Sequence, residues 1–262
     1  PDYGCTIKFL AANLDPDTAQ LAAGGDAVCA FVNSDCGAET LSVLAKAGIK
    51  LLLMRCAGYN NVDLAAAKAN GITVMRVPGY SPEAVAEHAM ALLMELTRHA
   101  GALDMQAKQG DWDGADGFEL FGKKLGIIGL GAIGVKVANA AVGLDMEVWG
   151  YDPFLSVDGA LKLDRSVKHV TDLNEIFANC DYITIHVPLN ADTKNTISAE
   201  AIEKMKDGVR VINLARGELV DTKAMAKALE SGKVAAYVSD FASDEILEQE
   251  NAITLPHLGA ST

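Results

Sequence analysis

The chain has 262 residues, 50% of them hydrophobic, and a formal net charge of −13. This length can hold one large domain or two modest ones with a substantial core. The negative charge argues against nucleic acid or an anionic membrane as a partner, because both attract clustered Lys and Arg. No apolar run reaches the roughly 18 residues of a membrane span. The first residues lack the basic and apolar regions of a signal peptide, so we expect a cytoplasmic protein.

The five cysteines are odd in number and include no C-x-x-C pair. We therefore expect neither a disulfide framework nor a zinc site, and no metal ligands are predicted. Cys29 lies within an apolar run and is expected to pack as a small hydrophobe.

The first third of the chain alternates short apolar runs with helical stretches. We predict strands at residues 6–10, 27–32, 49–54 and 72–75. Such alternation is typical of a mainly parallel sheet with helices on its faces. This part contains no glycine-rich fingerprint, so we expect it to be a separate, smaller α/β domain.

A helix is predicted from Ser81 to about Arg98. Ser81 suits the N-cap, Pro82 suits the first helical position, and Glu83 places an acid in the first turn. An apolar stripe at helical spacing predicts the face that packs on the core, formed by Val85, Ala89, Leu92, Leu93 and Leu96. The helix precedes a new domain and could also serve as a hinge or a dimer element. Residues 100–122, rich in Gly and Asp, are predicted to connect the two domains.

A glycine-rich stretch, residues 129–134, joins an apolar run at 125–130 to an apolar-periodic segment at 135–144. This context predicts a strand, a tight turn and a helix. In such a unit the first glycine permits the turn, the second lets a pyrophosphate approach, and the third lets helix and strand pack closely. The expected cofactor-binding residues here are Gly129, Gly131, Ala132, Ile133 and Gly134.

A second apolar run, residues 146–151, ends in Asp152, eighteen residues beyond Gly134. An acid at about this distance binds the ribose hydroxyls of a dinucleotide. A carboxylate accepts hydrogen bonds from a free 2′-hydroxyl and repels a 2′-phosphate, so Asp152 favours NAD over NADP. Neither Pro153 nor Phe154 offers that phosphate a cation.

The rest of the chain has the doubly wound pattern of strands separated by helices. The predicted strands lie near residues 146–151, 181–186, 209–214, 234–239 and 252–255. Ligands of open α/β sheets bind outside the carboxyl ends of the strands. Three candidate residues emerge at that edge, because Arg216, Glu245 and His257 each follow one of the last three strands.

These three residue types suit hydride transfer to a 2-oxo acid. The developing alkoxide needs a proton and imidazolium titrates near working pH, so His257 is the candidate acid/base. Glu245 could bind the other ring nitrogen and raise the pKa of His257. Arg216 can bind a substrate carboxylate through two hydrogen bonds.

Each candidate also has a structural interpretation. Arg216 could form a surface ion pair, His257 could be a loop residue, and the two acids at 244 and 245 could begin a helix. His186 ends another strand and either lines the nicotinamide side of the crevice or is a structural histidine. We assign no chemistry to His88, His99 and His169.

Four motifs together resemble the NAD-dependent D-2-hydroxyacid dehydrogenases, and they span most of the chain. They are the turn at 129–134, His186-Val187-Pro188-Leu189, Asn213-Leu214-Ala215-Arg216-Gly217 and Leu255-Pro256-His257-Leu258-Gly259. The resemblance implies a doubly wound Rossmann domain for NAD and a smaller flavodoxin-like α/β substrate domain, with the site in the cleft between them. It also implies an Arg, Glu, His catalytic set and usually a homodimer.

The family's residues carry over by position. Arg216 and His257 match their motifs directly. The family's Glu falls on Glu245 when counted from Asp240 but on Asp244 when counted from Phe241, and we choose Glu245. Asp240, or Ser239 in the other alignment, would face the nicotinamide carboxamide. The further implied cofactor contacts are His186, Val187, Pro188, Thr193, Leu214 and Ala215.

The two halves of the chain are similar to different branches of the family. The front half, at residues 55–63 and 77–82, is similar to D-lactate dehydrogenases, in which the positions of Ala57, Gly58 and Tyr80 contact substrate. The back half, at residues 206–209, 237–241 and 255–262, is similar to 3-phosphoglycerate dehydrogenases. The front domain supplies the far wall of the cleft, so we expect a small 2-oxo acid such as pyruvate and its D-2-hydroxy acid.

Two alternatives stay open. One is oxidation of 3-phosphoglycerate, for whose phosphate Arg55 and Arg76 are the candidate cations. The other is an NAD(H)-sensing binding protein, which resembles corepressors built on this fold. No partner-docking segment or basic patch favours the second alternative.

The expected domains follow from the resemblance. We assign residues 1–82 to the substrate domain and 83–256 to the NAD-binding domain, with a hinge helix near 82–98. Residues 257–262 would begin a return to the substrate domain. Family members carry an additional opening strand and a C-terminal returning helix, and this chain is expected to lack much of both.

Overall fold

The computed structural model describes residues 4–114 and 116–260. The chain divides into two compact units, of which the first ends at Tyr80 and the second begins at Ser81. Each unit is built on its own parallel sheet with helices packed against it. The predicted α/β class is therefore confirmed.

The first unit holds the sheet β1-β2-β3, in which neighbouring strands run parallel. Its elements in chain order are β1 (Ala27–Ala30), α1 (Ala38–Lys46), β2 (Leu51–Met54), α2 (Leu64–Ala69) and β3 (Thr73–Arg76). Leu41 and Leu44 of α1 pack with Leu52 and Met54 of β2 in the core of this unit. Asp63 begins α2 by accepting a hydrogen bond from the Ala66 N–H.

Two expectations for this unit are wrong. Residues 6–10 form no strand, and in the described chain they pair with no sheet. Their side chains therefore lack a packing surface, and Phe9 is 90% exposed. Cys29 is exposed on β1 rather than packed. The next residue, Ala30, is buried, and successive side chains of a strand point to opposite faces.

The second unit contains a parallel sheet of strand order β10-β9-β8-β7-β4-β5-β6. Its strands are β4 (Lys124–Ile128), β5 (Glu147–Tyr151), β6 (Lys168–Val170), β7 (Tyr182–Ile185), β8 (Val209–Asn213), β9 (Val234–Ser239) and β10 (Ala252–Thr254). The order reverses between β4 and β7, as in a doubly wound Rossmann fold. All four residues of β7 are buried, because helices cover both faces of the sheet.

Helices alternate with these strands. They are α3 (Pro82–Arg98), α4 (Ala100–Lys108), α5 (Gly134–Val142), α6 (Val157–Lys162), α7 (Leu173–Asn179), α8 (Ala199–Lys204), α9 (Thr222–Glu230) and α10 (Asp244–Leu247). Side chains cap several of them: Ser198 accepts a hydrogen bond from the Ala201 N–H, and Asp221 accepts one from the Ala224 N–H. Among the described residues, no helix combines the length and the apolar character needed to cross a membrane.

Helix α3 has the predicted bounds, and its apolar stripe is confirmed as core. Ala89, Leu92, Leu93 and Leu96 are all buried and pack with residues of β4 and α5. The predicted cap is wrong, because Ser81 adopts a left-handed φ of +47° and its side chain makes no capping hydrogen bond. The segment predicted as a connection contains α4, and β6 was not predicted.

The stripe on α3 makes a prediction about stability. Replacing Leu93 by Ala is expected to lower the free energy of unfolding by about 2–5 kcal/mol, because it leaves a cavity in the core. Met94 is its neighbour on α3 and is 41% exposed. Met94→Ala should therefore cost less than about 1 kcal/mol. Urea unfolding followed by circular dichroism measures both, and equal losses would contradict the packing described for α3.

Candidate active site

The glycine turn after β4 lies directly against the end of β7. Gly129 has a φ of +98°. A Cβ added there would lie 2.7 Å from the carbonyl oxygen of His186 and 2.8 Å from Cγ1 of Val187. Neither contact is possible for a real side chain, so the turn needs glycine at this position. The two strand ends thus meet at the point where the strand order reverses, where doubly wound sheets bind their ligands.

The third glycine of the motif closes the turn on itself. A Cβ added to Gly134, the first residue of α5, would overlap the carbonyl oxygen of Gly129. At Gly131, by contrast, an added Cβ would meet no atom within 4 Å. The backbone is therefore tightly packed on one side and open on the other. These features fit a dinucleotide whose pyrophosphate approaches at Gly131 and the start of α5.

Asp152 follows β5 and is bound to this turn. Its Oδ2 accepts a hydrogen bond of 2.9 Å from the Leu130 N–H, and its Oδ1 accepts one of 2.8 Å from the Phe154 N–H. Each carboxylate oxygen retains further acceptor capacity for a ribose hydroxyl. Asp152, the acid predicted to bind the ribose, is thus held beside the glycine turn, where an NAD-binding site needs a ribose-binding acid.

The loop after β7 carries four of the predicted cofactor residues: His186, Val187, Pro188 and Thr193. The Thr193 hydroxyl donates to the carbonyl oxygen of Pro188 over 2.6 Å and accepts from the Asn190 N–H over 2.9 Å. These bonds fix the course of the loop.

His186 itself stays neutral at working pH. Burial of its ring lowers its pKa to about 4, because the charged form is poorly solvated there. Its Nε2 lies 3.0 Å from the hydroxyl of Thr184. The His186 ring therefore carries no charge near neutral pH.

Arg216 is held by a buried asparagine at the end of β8. Asn213 is fully buried. Its Nδ2 donates to the carbonyl oxygen of Arg216 over 2.8 Å, and its Oδ1 accepts from the Ala215 N–H over 3.1 Å. Leu214 packs in the core. Nη1 of Arg216, which is half-buried, donates to the carbonyl oxygen of Ala215 over 2.6 Å. The role of Asn213 was not predicted, although it begins the motif that contains Arg216. A polar residue at the end of an apolar strand is the sequence feature that could have indicated it.

Asp240, at the end of β9, is a buried carboxylate with 2% of its surface exposed. Its Oδ2 accepts a hydrogen bond of 3.0 Å from the Gly259 N–H. Ser239 shapes the same turn, because its hydroxyl accepts a hydrogen bond of 3.0 Å from the Phe241 N–H. Asp240 therefore links the end of β9 to the loop that follows β10.

His257 lies on that loop, two residues before Gly259. Its backbone has a left-handed φ of +57°, and its ring packs edge-to-face on Phe241 with the centroids 4.8 Å apart. The pKa of His257 is lowered from 6.5, mainly because neighbouring atoms desolvate the ring. The negative charge of Asp240 raises this pKa, and the positive charge of Arg216 lowers it. The described structure therefore brings the imidazole within electrostatic range of both groups.

Glu245 does not make the contact that the sequence suggested. It lies half-buried on α10, and among the described residues no hydrogen bond or ion pair joins it to His257. The expected raised pKa of His257 is therefore wrong, since burial outweighs the field of Asp240. The catalytic role of Glu245 stays a prediction, as does the choice between it and Asp244, which is exposed.

The predicted substrate-binding residues belong to the first unit. The carbonyl oxygen of Ala57 accepts a hydrogen bond of 2.8 Å from Nη1 of Arg76, and the carbonyl oxygen of Gly58 accepts one of 3.2 Å from the Cys56 thiol. The loop after β2 is thus held by neighbouring side chains. Tyr80 is 44% exposed.

The two cations considered for a substrate phosphate make contacts within this unit. The Arg55 guanidinium lies 4.1 Å from the centroid of the Phe31 ring. Arg76, besides its bond to Ala57, lies 5.1 Å from the centroid of the Tyr59 ring. These are cation–π distances, so both guanidinium groups already make contacts with aromatic rings of the first unit.

Comparison with known proteins identifies the family. The sequence model described as "D-isomer specific 2-hydroxyacid dehydrogenase, NAD binding domain" matches residues 90–259. A 2-hydroxyacid dehydrogenase homolog of Schizosaccharomyces pombe is 41% identical over 242 residues, which cover 91% of this chain and 72% of that protein. The D-lactate dehydrogenase of Escherichia coli is 38% identical over 245 residues, which cover 93% and 73% of the two chains.

Solved structures agree. The apo-structure of the Escherichia coli D-lactate dehydrogenase matches with a TM-score of 0.88 and 35% identity, covering 100% of this chain and 84% of that one. The structure of the pyruvate reductase of Chlamydomonas reinhardtii matches with a TM-score of 0.86 and 36% identity, covering 97% and 82%. The chain therefore belongs to the NAD-dependent D-2-hydroxyacid dehydrogenases. It is an NAD-dependent enzyme that interconverts 2-oxo acids and D-2-hydroxy acids.

Asp152 offers a test of cofactor choice. Asp152→Asn keeps the shape of the side chain but removes its charge, so NADH binding is expected to weaken about tenfold. The preference for NADH over NADPH should fall as well, because the repulsion of the 2′-phosphate is lost. Fluorescence titration with both cofactors measures these changes.

The matched control for that experiment is Asp158→Asn. Asp158 is an exposed acid on α6 that pairs with Lys162 one helical turn away. It should leave both affinities unchanged. An unaltered preference in Asp152→Asn would remove this residue from the ribose site.

Proposed function

We propose that this protein reduces pyruvate to D-lactate with NADH, and catalyses the reverse oxidation with NAD, using Arg216, Glu245 and His257 as its catalytic set. One observation carries the proposal: Arg216 and His257 come close enough at one edge of the sheet for the guanidinium to lower the pKa of the imidazole. The names of two relatives, a D-lactate dehydrogenase and a pyruvate reductase, support the choice of substrate.

Each residue has a distinct task in this reaction. NADH, when bound, supplies the hydride that adds to the carbonyl carbon. His257 donates a proton to the carbonyl oxygen as negative charge develops there, and it takes that proton back in the reverse direction. Arg216 binds the carboxylate of the substrate through two N–H groups of its planar guanidinium. The bound carboxylate also favours the protonated form of His257, because it adds a negative charge nearby.

Contacts in the first unit support a substrate without a phosphate. Ala57, Gly58 and Tyr80 bind the substrate in this proposal. A phosphate would need free cations, but Arg76 is bonded to the Ala57 carbonyl and Arg55 packs on Phe31. In this proposal Arg76 therefore holds the backbone at Ala57 in place for the substrate, and it does not serve to bind a phosphate.

The proposal also retains the domain roles and the partners expected from the sequence. The division of the chain after Tyr80 supports substrate binding by residues 1–82 and NAD binding by residues 83–256. A homodimer and a cytoplasmic location remain predictions. Light scattering of the purified protein would measure the oligomeric state.

A substrate panel tests the proposed reaction. With NADH fixed, we expect kcat/KM for pyruvate to exceed that for phosphohydroxypyruvate by about a hundredfold or more, because the phosphate would remain unpaired in the site. Loss of NADH absorbance measures both rates. A preference for the phosphorylated acid would favour the 3-phosphoglycerate alternative, and NADH binding without turnover of any 2-oxo acid would favour the sensing protein.

The role of His257 predicts a pH dependence with a definite sign. Reduction needs the imidazolium, which is present below the pKa of His257 and is lost as the pH rises through it. That pKa is lowered from 6.5. As the pH is raised, kcat/KM for pyruvate should therefore start to decrease before about pH 6.5 is reached, whereas kcat/KM for lactate should increase over the same range.

His257→Gln is the variant that completes this test. It should reduce turnover by at least about a hundredfold and abolish the pH transition, because the proton donor is gone. The affinity for NADH, measured by fluorescence, should stay the same. A variant that retained turnover would remove His257 from its role as acid/base.

A further inference from the structure

A second histidine faces the buried acid beside the catalytic loop. Nε2 of His88, on α3, lies 3.7 Å from Oδ1 of Asp240. The His88 side chain is 26% exposed and that of Asp240 is fully buried. Both atoms are themselves buried, and neither has a hydrogen-bond partner among the described residues. No chemistry was assigned to His88 from the sequence.

Leaving these two atoms unbonded destabilises the fold. A buried polar atom without a hydrogen bond loses its interactions with water and gains none in return, and the loss is larger when the group is charged. The separation of 3.7 Å is within ion-pair range but longer than a hydrogen bond, so a shift of less than 1 Å would form one. The other oxygen of Asp240 already accepts the Gly259 N–H.

The three segments involved are in direct contact. A Cβ added to Gly259 would lie 3.0 Å from Oδ2 of Asp240, 3.8 Å from Cδ2 of His88 and 3.8 Å from Cγ1 of Val85. Helix α3, the end of β9 and the loop after β10 therefore pack closely around Gly259. Asp240 connects His88 to this loop, because one of its oxygens faces His88 and the other accepts the Gly259 N–H.

We propose that His88 is a positioning residue for the reaction: it holds the carboxylate of Asp240 by a charge-assisted hydrogen bond, and Asp240 in turn holds the loop that carries His257. The proposal rests on the proposed function, since it treats His257 as the acid/base. His88 is not a catalytic residue, because it acts through Asp240.

The electrostatic consequence follows from the groups that face each other here. Asp240 faces His88 from α3 and the Gly259 N–H from the loop, while its charge and that of Arg216 act on His257 in opposite directions. Without a partner on Oδ1, the Asp240 carboxylate is held only through its bond to the Gly259 N–H and can turn away from its present position. Its negative charge then supports the imidazolium form of His257 less well. His88 thus keeps that charge in place beside the loop.

The first measurement needs neither cofactor nor turnover. We would titrate the imidazole resonances of the cofactor-free protein by NMR in His88→Leu, His88→Gln and the control Glu87→Gln, whose side chain is exposed on the same helix. In His88→Leu the pKa of His257 should fall by about one pH unit. In His88→Gln the fall should be smaller, because the amide N–H can still reach Asp240, and the control should not change.

The second measurement is the pH profile of kcat/KM for pyruvate. The midpoint should move down in His88→Leu by the amount that NMR records, lowering the rate near pH 7 by about tenfold. His88→Gln should restore most of the rate. If His88→Leu does not fold, His88→Asn replaces it, because the shorter amide cannot reach Asp240.

The outcomes separate the two proposals. A His257 titration in His88→Leu or His88→Asn that matches the control would overturn the positioning role, even if the rate fell. Failure of His88→Gln to recover the titration would do the same. Absence of turnover in the unaltered protein would contradict the proposed function, while the NMR titration would still decide the role of His88.

Discussion

The close packing of Gly134 beneath the carbonyl of Gly129 is the constraint on which the nucleotide half of this structure depends. Since no Cβ fits there, α5 can begin almost in contact with the end of β4. The same turn presses Gly129 against the backbone of His186, which brings β4 and β7 together at their carboxyl ends. Asp152 completes the arrangement through its hydrogen bond to Leu130. The shape of the proposed dinucleotide site is therefore set by backbone packing.

The other half of the site depends on buried polar side chains. Asn213, Ser239 and Asp240 end two apolar strands, yet each is almost completely buried. Asn213 and Ser239 bond to backbone groups of the turns that follow their strands, and Asp240 accepts the Gly259 N–H of the loop after β10. Arg216 lies on the first of these segments and His257 on the last. Catalytic geometry is thus set by residues that do not themselves carry the proposed chemistry.

Local sequence patterns were sufficient for most of the fold. Apolar runs separated by helical segments predicted the strands of the second sheet, and the glycine spacing with Asp152 predicted the NAD site, because these signals depend on neighbours along the chain. The failures involve partners distant in sequence. Residues 6–10 have apolar character but no adjacent strand, and the short β6 has too few apolar residues to show a pattern.

The same limit applied to the candidate site. The resemblance supplied Arg216 and His257 by position, but the direction of the pKa of His257 depends on how many atoms surround the ring, which no motif records. The carboxylate that raises the pKa of this ring is Asp240, whereas Glu245 was predicted. His88 lies 152 positions away from Asp240 along the chain, so only the packing of α3 on the sheet reveals the pair.

The lowered pKa of His186 has one more consequence. A ring with a pKa of about 4 stays uncharged across the range, roughly pH 5–8, in which an ordinary imidazole titrates. In an NMR titration of the histidines, the imidazole resonance of His186 should therefore stay constant over this range of pH. If more solvent reached the ring between the ends of β4 and β7, its desolvation would weaken and its pKa would rise toward that of an ordinary imidazole.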